Sequence, residues 1–576
     1  MADSNDAAAH LFRFDTFEFD RLALELRSGG VKVKLEGQPL RILGMLVERA
    51  GELVTRDDLR KQLWPASTIV DFEHSINAAM KRLRKALGDS AETPRFIETL
   101  PRRGYRFKPT VKSADEHALA VLPLKNLSGD ASQDYYADGV SEALITELGK
   151  IGRLQVLSFQ SVSRYRQTQK PLPEIARELQ VDALLEGSVV RSGDRVRITA
   201  MLFQVAPERQ LLSESYEFEA RDILAVQAEV ARDVATRARI SLTPQEQARL
   251  VTARRVDPEA YEAYLLGRAY FLQYTPGTPE KAKAYYEKCI AKDPSYAPAY
   301  AGLAELYAGR LWAFPIAARA QARQLAEHAL ALDDSLAEAH AALSRHSFQE
   351  WDWAGAERAH CRAIDANPSY ALARVWYAAY LFCMERFDEA VAQAERAQRL
   401  DPVSSYVNSL AGLAFFLAGH VDKARATWQR VIDLDPMNSL TSRYMAESYL
   451  KERNYDRTIG ILERQLIYTP KDIWVLGAQA HSYARAGRRE EALRLTRDLV
   501  RREASGEVQA PLPTIWAYAG LQEYDEAFAR LERAAAARRE RIPWLKVDPW
   551  LEPLHADPRF QELVRQMNFP SKRPQR

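Results

Sequence analysis

Cysteine is scarce: the 576 residues hold three, Cys289, Cys361 and Cys383. They stand far apart in helical patterns without CxxC spacing, so buried, reduced thiols are expected rather than a disulfide scaffold or a metal site. Long apolar runs are missing too. The longest, Leu410–Gly419, falls well short of the ~20 residues that cross a bilayer, so no membrane association is expected. Net charge is only +2, and any affinity for nucleic acid must come from a local patch. No GxxxxGK[ST] or strand-linked GxGxxG occurs, and Gly129-Asp130 and Asp138-Gly139 read as a turn and a helix start. The histidines show no ligand spacing. His74 reads as satisfied or solvent-facing, and His340, His346 and His360 are scattered over helices. The sequence therefore predicts no enzyme, no cofactor and no metal. The polar, acidic start MADSNDAAAH is unlike a signal peptide, and a cytoplasmic protein is expected.

What is present is an ordinary globular composition, 47% hydrophobic and 27% charged, over a length that fits two to four domains. The most informative stretch is residues 71–107, DFEHSINAAMKRLRKALGDSAETPRFIETLPRRGYRF. The spacing of Phe72, Ile76, Met80, Leu83 and Leu87 predicts a helix from Asp71 to about Leu87 with one buried face. Gly88 is its stop. RFIETL and Tyr105–Phe107 read as hairpin strands joined by Pro101-Arg102-Arg103-Gly104. Between Asp71 and Lys108, nine Lys/Arg face five Asp/Glu, a local charge of +4. A basic helix fits the DNA major groove, and an arginine-tipped hairpin reaches a minor groove or a phosphate backbone. Periodicity alone leaves a second reading equally open, a solvated helix beside an ordinary hairpin.

LWP at Leu63–Pro65, RLRKALGD at Arg82–Asp89 and PRFIETLPRRGYRF at Pro94–Phe107, in that order, resemble the winged-helix domain of OmpR/PhoB-type and CadC/ToxR-like transcription regulators. The resemblance covers roughly residues 10–110. It implies that the helix and wing bind double-stranded promoter DNA. Lys81, Arg82, Arg84 and Lys85 would be the helix contacts, Asn77 and Ala78 would face base edges, and Arg102 and Arg103 would act from the wing. It also implies RNA polymerase as a partner of the Trp64–Val70 loop; Trp64 itself reads as core packing rather than a DNA contact. Tandem binding by two copies is usual in such regulators, so a homo-oligomer stays open. Ala78 and Ala79 at base-facing positions weaken the expectation of sequence reading. A receiver domain in front of this region is not expected, and the stretch after it, VKSADEHALAVLPLKNLSG, is too polar for the membrane helix of the CadC/ToxR branch.

Along the chain, alternation in residues 11–35 predicts a small antiparallel sheet turning at Ser28-Gly29-Gly30, and Pro39–Arg49 a helix. Thr55 with Asp58 reads as the cap of a second helix. Residues 111–117 read as a linker, and 118–242 as a middle α/β domain. That domain's pattern, AVLPLKNLSGD…YYADGVSEALITEL…GSVVRSGDRVRITAML, resembles the TolB amino-terminal-like domain. From 256 to 570 the chain is helical. Pro368, Pro402, Pro436 and Pro470 recur every 34 residues, and Pro294 fits after a six-residue insert. That period is the signature of tetratricopeptide repeats. Gly412, Ala378 and Ala446 are read as close-approach positions. Six repeats from 260 to 472 are expected, then a seventh at 473–506, a degenerate one at Ile515–Ala534 and a closing helix at Pro558–Met567. The arginine clusters at 488–489 and 538–541 read mainly as solvated faces.

The expected fold is thus a multidomain α+β chain: an N-terminal winged helix-turn-helix, a middle α/β (TolB-N-like) domain and a C-terminal all-α tetratricopeptide-repeat solenoid with a cap. In architecture it resembles the HilA-type regulators. The expected function is a DNA-binding transcription regulator whose middle and repeat domains sense signals or dock a protein or peptide in the repeat groove. The competing reading is an interaction scaffold whose winged helix has lost specific DNA binding.

Overall fold

The computed structural model describes residues 11–570, apart from 22, 29–30, 52, 65–71, 102, 109–111, 114–116, 207, 241, 251–253, 274–276, 310–313, 315–316, 508–509 and 540. The chain divides into two units, Met1–His117 and Ala118–Arg576.

In the first unit, alternating aromatics make strands. β1 (Leu11–Phe14), β2 (Phe17–Asp20), β3 (Glu25–Ser28) and β4 (Val31–Lys32) form an antiparallel meander. Its inner residues Phe14, Phe19 and Leu26 are buried. Helix α1 (Gln38–Glu48) lays Leu40, Ile42, Leu43, Leu46 and Val47 on this sheet. After β5 (Leu53–Thr55) comes α2 (Arg56–Leu63), started by a reciprocal capping box between Thr55 and Asp58. Helix α3 (Phe72–Leu87) follows, then β6 (Ile97–Leu100) and β7 (Gly104–Phe107). These two strands and β5 make a second sheet in the order β5-β7-β6, a pairing of β5 that its three residues gave no reason to expect. Residues 112–113, in the stretch read as a linker, form β8 (Lys112–Ser113), which pairs with β1. Trp64 packs against the core, edge-on to Phe72 with ring centroids 5.3 Å apart.

The second unit begins with a mixed sheet. Its strands are β9 (His117–Val121), β10 (Lys125–Asn126), β11 (Leu154–Val156), β12 (Ala183–Ser192), β13 (Arg195–Gln204) and β14 (Arg209–Glu219), in the order β11-β9-β12-β13-β14. β9 runs parallel to β12, and the β12–β13 hairpin turns at Gly193, where φ is +60°. Alternation along β9 splits its side chains between two cores. Leu119 and Val121 meet α4 (Asp134–Gly149) and α7 (Ile223–Arg237). Ala118 and Ala120 meet α5 (Phe159–Val162) and α6 (Leu172–Leu179).

A short α8 (Pro244–Arg249) leads into eight helix pairs. They are α9 (Pro258–Phe271) with α10 (Thr278–Lys292), α11 (Ala297–Gly309) with α12 (Ala317–Leu332), α13 (Ala337–Gln349) with α14 (Trp353–Ala366), α15 (Ala371–Cys383) with α16 (Phe387–Leu400), α17 (Ser405–Leu417) with α18 (Val421–Leu434), α19 (Ser439–Lys451) with α20 (Tyr455–Tyr468), α21 (Ile473–Arg485) with α22 (Arg489–Ala504), and α23 (Leu512–Leu521) with α24 (Tyr524–Ala536). The starts of α13, α15, α17, α19 and α21 are 34 residues apart. In the second pair α12 starts 20 residues after α11, against 16 for α14 after α13, and α12 is two residues longer than α14, which accounts for the six-residue insert. Close approach within pairs is real: a Cβ on Gly412 would sit 2.3 Å from Trp428 Nε1, and Ala378 and Ala446 are fully buried. The array closes with α25 (Pro558–Gln566).

The middle sheet is tied to the array. Gly139 of α4 lies against Leu265 of α9, and Arg268 donates to Glu142 and, at 3.2 Å, to Glu305. Ser158 N–H donates to Leu400 O at 2.9 Å, and Ser161 Oγ to the buried Asp401 carboxylate at 3.0 Å. Two expectations about single side chains need correction. Cys289 and Cys383 are buried, but Cys361 is exposed on α14. Arg541 is not a solvated cation: its side chain is buried beside Asp548 and over the Trp544 ring. Among the described residues, no helix is long and apolar enough to cross a membrane.

Candidate nucleic-acid interface

Helix α3 has sixteen residues, so it is about 24 Å long at 1.5 Å per residue. Ile76, Ala79, Met80, Leu83 and Leu87 are buried. His74, Asn77, Ala78, Lys81, Arg82 and Lys85 are exposed. At about 100° per residue these six fall in one stripe opposite the buried five. Ala79 is therefore core, not base-facing, and only Ala78 stays on the outer stripe. Lys81, Arg82 and Lys85 form no ion pair with any described residue. Three cations therefore project from one face of a helix thin enough for a major groove.

Arg84 is placed differently. Its side chain is 13% exposed. Nη2 donates to Ile97 O and to Thr99 Oγ1, each at 2.8 Å, which ties the helix to the first wing strand. The link between them is fixed by Asp89. Its buried carboxylate accepts from the backbone N–H groups of Arg95 at 2.7 Å, Phe96 at 3.2 Å and Ile97 at 2.9 Å. Gly88, at φ +65°, ends the helix, and Asp89 N–H returns to Arg84 O at 2.9 Å.

Asn77 stands at the centre of a small knot. Its Oδ1 accepts from Arg56 Nη2 and from Tyr105 OH, both at 3.1 Å. Arg56 also donates to Glu73 at 2.5 Å and lies over the Tyr105 ring, 5.2 Å from its centroid. Burial raises the Tyr105 hydroxyl above its ordinary range, so it stays a donor. The knot uses Asn77 Oδ1 as an acceptor, and its amide N–H groups make no hydrogen bond with a described residue. Arg56 has no signal in the sequence beyond opening a helix, and sequence reasoning passed over it.

In the wing, Leu100 pairs with Gly104, and Arg103 N–H closes the turn on Leu100 O at 3.0 Å. Gly104 is required: at φ +155°, a Cβ would stand 2.1 Å from Val54 O. Arg103 is exposed at the tip, while Arg106 is neutralised across the hairpin by Glu98 at 3.2 Å. Arg102 and the loop at 65–70 expected to meet RNA polymerase lie outside the described residues.

The repeat groove is not open along its length. Residues 538–539 and 541–554 lie on the first helices of successive pairs. Gln349 of α13 donates to Arg538 O and Arg539 O, and Phe382 of α15 meets Trp544. Arg541 donates to Tyr444 OH of α19 at 3.2 Å, and Trp550 Nε1 to Glu447 Oε1 at 2.8 Å. Trp550 also packs on His481 and Trp516. The chain itself thus fills the place where a peptide ligand was expected. Among the described residues, no group of three or more His, Cys, Asp or Glu is placed to hold a metal.

Residues 30–107 match the family "Transcriptional regulatory protein, C terminal", and residues 263–296 match "Tetratricopeptide repeat". The chain is 33% identical over 243 residues to a Rhizobium meliloti protein whose name assigns it to the adenylate cyclases, covering 41% of this chain and 40% of that one. It is 34% identical over 125 residues to the "Cholera toxin homolog transcriptional activator" of Vibrio parahaemolyticus, covering 21% of this chain and 43% of that one. It is 25% identical over 307 residues to "Transcriptional regulator HilA" of Salmonella typhimurium, covering 51% of this chain and 53% of that one. The chain thus spans about half or less of these relatives' own lengths. It joins an OmpR/PhoB-type winged-helix domain of the transcription-regulator class to a mixed-sheet region and a tetratricopeptide-repeat array.

Proposed function

We propose that this chain is a sequence-specific, DNA-binding transcription regulator. The supporting observation is the outer stripe of α3: Lys81, Arg82 and Lys85, with no ion-pair partner among the described residues, stand beside an Asn77 that Arg56 and Tyr105 hold in one orientation. Cations on such a face neutralise phosphates, and a fixed amide reads base edges. Arg103 of the wing adds a contact to the neighbouring backbone or minor groove. The Salmonella and Vibrio relatives are named as transcriptional regulators, which agrees with this reading. Arg84 is left out of the contact set because its donors are spent on the wing. The middle region, read as TolB-N-like, and the repeat array sense a signal or dock a partner, RNA polymerase among the candidates.

The test is a salt titration of promoter-fragment binding. The slope of log K against log salt should fall by roughly one for each phosphate-contacting cation removed, so Arg82→Ala with Arg103→Ala should reduce it by about two. An unchanged affinity and slope would show that the assigned face is wrong. The scaffold reading keeps one supporting residue, the exposed Ala78. A pull-down of genomic fragments separates the two readings, since a scaffold would enrich none.

A further inference from the structure

The second unit holds a large open cleft. Helices α12, α13 and α14 line it together with residues 536–538, and its volume is about 1120 Å³. Five arginines, Arg319, Arg323, Arg358, Arg362 and Arg538, face three acids, Glu327, Glu350 and Asp352. Two of those acids are already engaged. Glu327 pairs with Arg323 at 2.8 Å, and Asp352 caps α14 through Gly355 N–H at 2.9 Å. Arg358 and Arg362 stand one turn apart on α14, are exposed, and pair with no described residue. Within the cleft, the His340 and His346 imidazoles are held below their ordinary range, first by burial and then by the positive charges of Arg362 and Arg323 respectively.

The walls come from distant parts of the chain and are locked together. Arg319 donates to Arg538 O, Gln349 donates to the same carbonyl at 2.6 Å, and the Arg538 guanidinium lies 3.2 Å from the centroid of the Trp351 ring. Leu330 and Leu343 supply apolar surface within the cleft. The size exceeds the ~300–1,000 Å³ typical of small-ligand pockets, which suits an extended segment better than a metabolite. Guanidinium forks one turn apart on a helix match carboxylates bidentately. The acids and leucines in the lining disfavour an unbroken polyanion and accept a chain that carries apolar side chains between its charges.

We propose that this cleft docks an acidic peptide segment of a partner protein, with its carboxylates on Arg358 and Arg362 and an aliphatic side chain against Leu330 and Leu343. This site is independent of the DNA reading and borders the filled groove, sharing only Arg538 with the segment that fills it. The test is fluorescence anisotropy of the full chain with a labelled peptide of alternating glutamate and leucine. A lysine–leucine peptide of the same length and inorganic polyphosphate are the comparison probes. The acidic peptide should bind, more weakly at higher salt, and Arg358→Ala with Arg362→Ala should weaken it at least tenfold. Both residues are exposed and unpaired, so the circular dichroism and melting temperature should not change. Arg494→Ala with Arg497→Ala, an equal loss of charge on α22, should leave binding intact. The proposal is overturned if the acidic peptide does not bind, if the α14 variant binds as tightly as the parent, if the α22 variant loses as much affinity, or if polyphosphate binds and the peptide does not.

Discussion

Lys81, Arg82, Arg84 and Lys85 lie within five positions of one helix, yet they do not share a role. Arg82 and Arg84 sit on opposite flanks of the buried stripe, about 200° apart. Only Arg84 lies on the flank that meets the wing. The helix's own pattern gives its buried face but not which flank a later hairpin will cover, so the sequence could not separate the two. Ala79 was legible in principle, because its phase falls within the buried arc, but a small side chain carries little hydrophobic signal. The two tied arginines should behave differently from the free ones. Arg84→Ala loses two charge-assisted hydrogen bonds to the wing and should destabilise the first unit by roughly 1.5–3 kcal/mol, visible as a lower melting temperature, with the salt slope of DNA binding unchanged. Arg56→Ala releases Asn77 and should weaken DNA binding by loss of orientation. Because Arg56 is already paired with Glu73, the salt slope should again stay the same. A slope that fell by one would make Arg56 a phosphate contact instead.

Elements were more legible than side-chain roles. The apolar spacing gave α3, and the 34-residue period gave the repeat pairs. β5 and β8 were missed because strands of two or three residues are defined by their partners rather than by any period of their own. β5 explains Gly104, whose Cα lies against its backbone. Gly104→Ala should cost about 3 kcal/mol or more, since both φ and the 2.1 Å approach to Val54 O must change. The measurement is the unfolding midpoint of the first unit. The joint between the middle sheet and the array carries its own signature in Asp401, whose carboxyl burial raises to about 6 from an ordinary 3.8. A raised value means that the fold prefers the protonated acid. Its contribution is therefore present below about pH 3.8 and lost as pH rises through 6. Asp401→Asn keeps an acceptor for Ser161 and Ser404 but cannot ionise. Its stability relative to the parent should rise between pH 4 and pH 7, by up to about 3 kcal/mol at 1.36 kcal/mol per unit. Denaturant midpoints of both proteins at the two pH values decide it, and parallel pH profiles would sink the idea.

At the scale of the molecule, the returning segment 538–554 was invisible in the sequence. Its arginines read as surface charge, and nothing local told that Arg541 and Asp548 (3.8 Å) would be buried beside Arg443 and Glu447 (2.8 Å). Glu447→Ala would strand Arg443 and the Trp550 N–H in the interior and should cost about 3–5 kcal/mol, read by chemical denaturation of the full chain. The segment also changes how the array would yield to force. A row of repeats that touch only their neighbours peels one pair at a time from a free end. Here a thread starts at α13 and crosses α15, α19 and α23 in turn, so tension on the C-terminal side first meets the thread and not the last pair. Pulled by its ends, the array should resist to a single high peak and then give way over many pairs together, behaving like a laced seam rather than a zip.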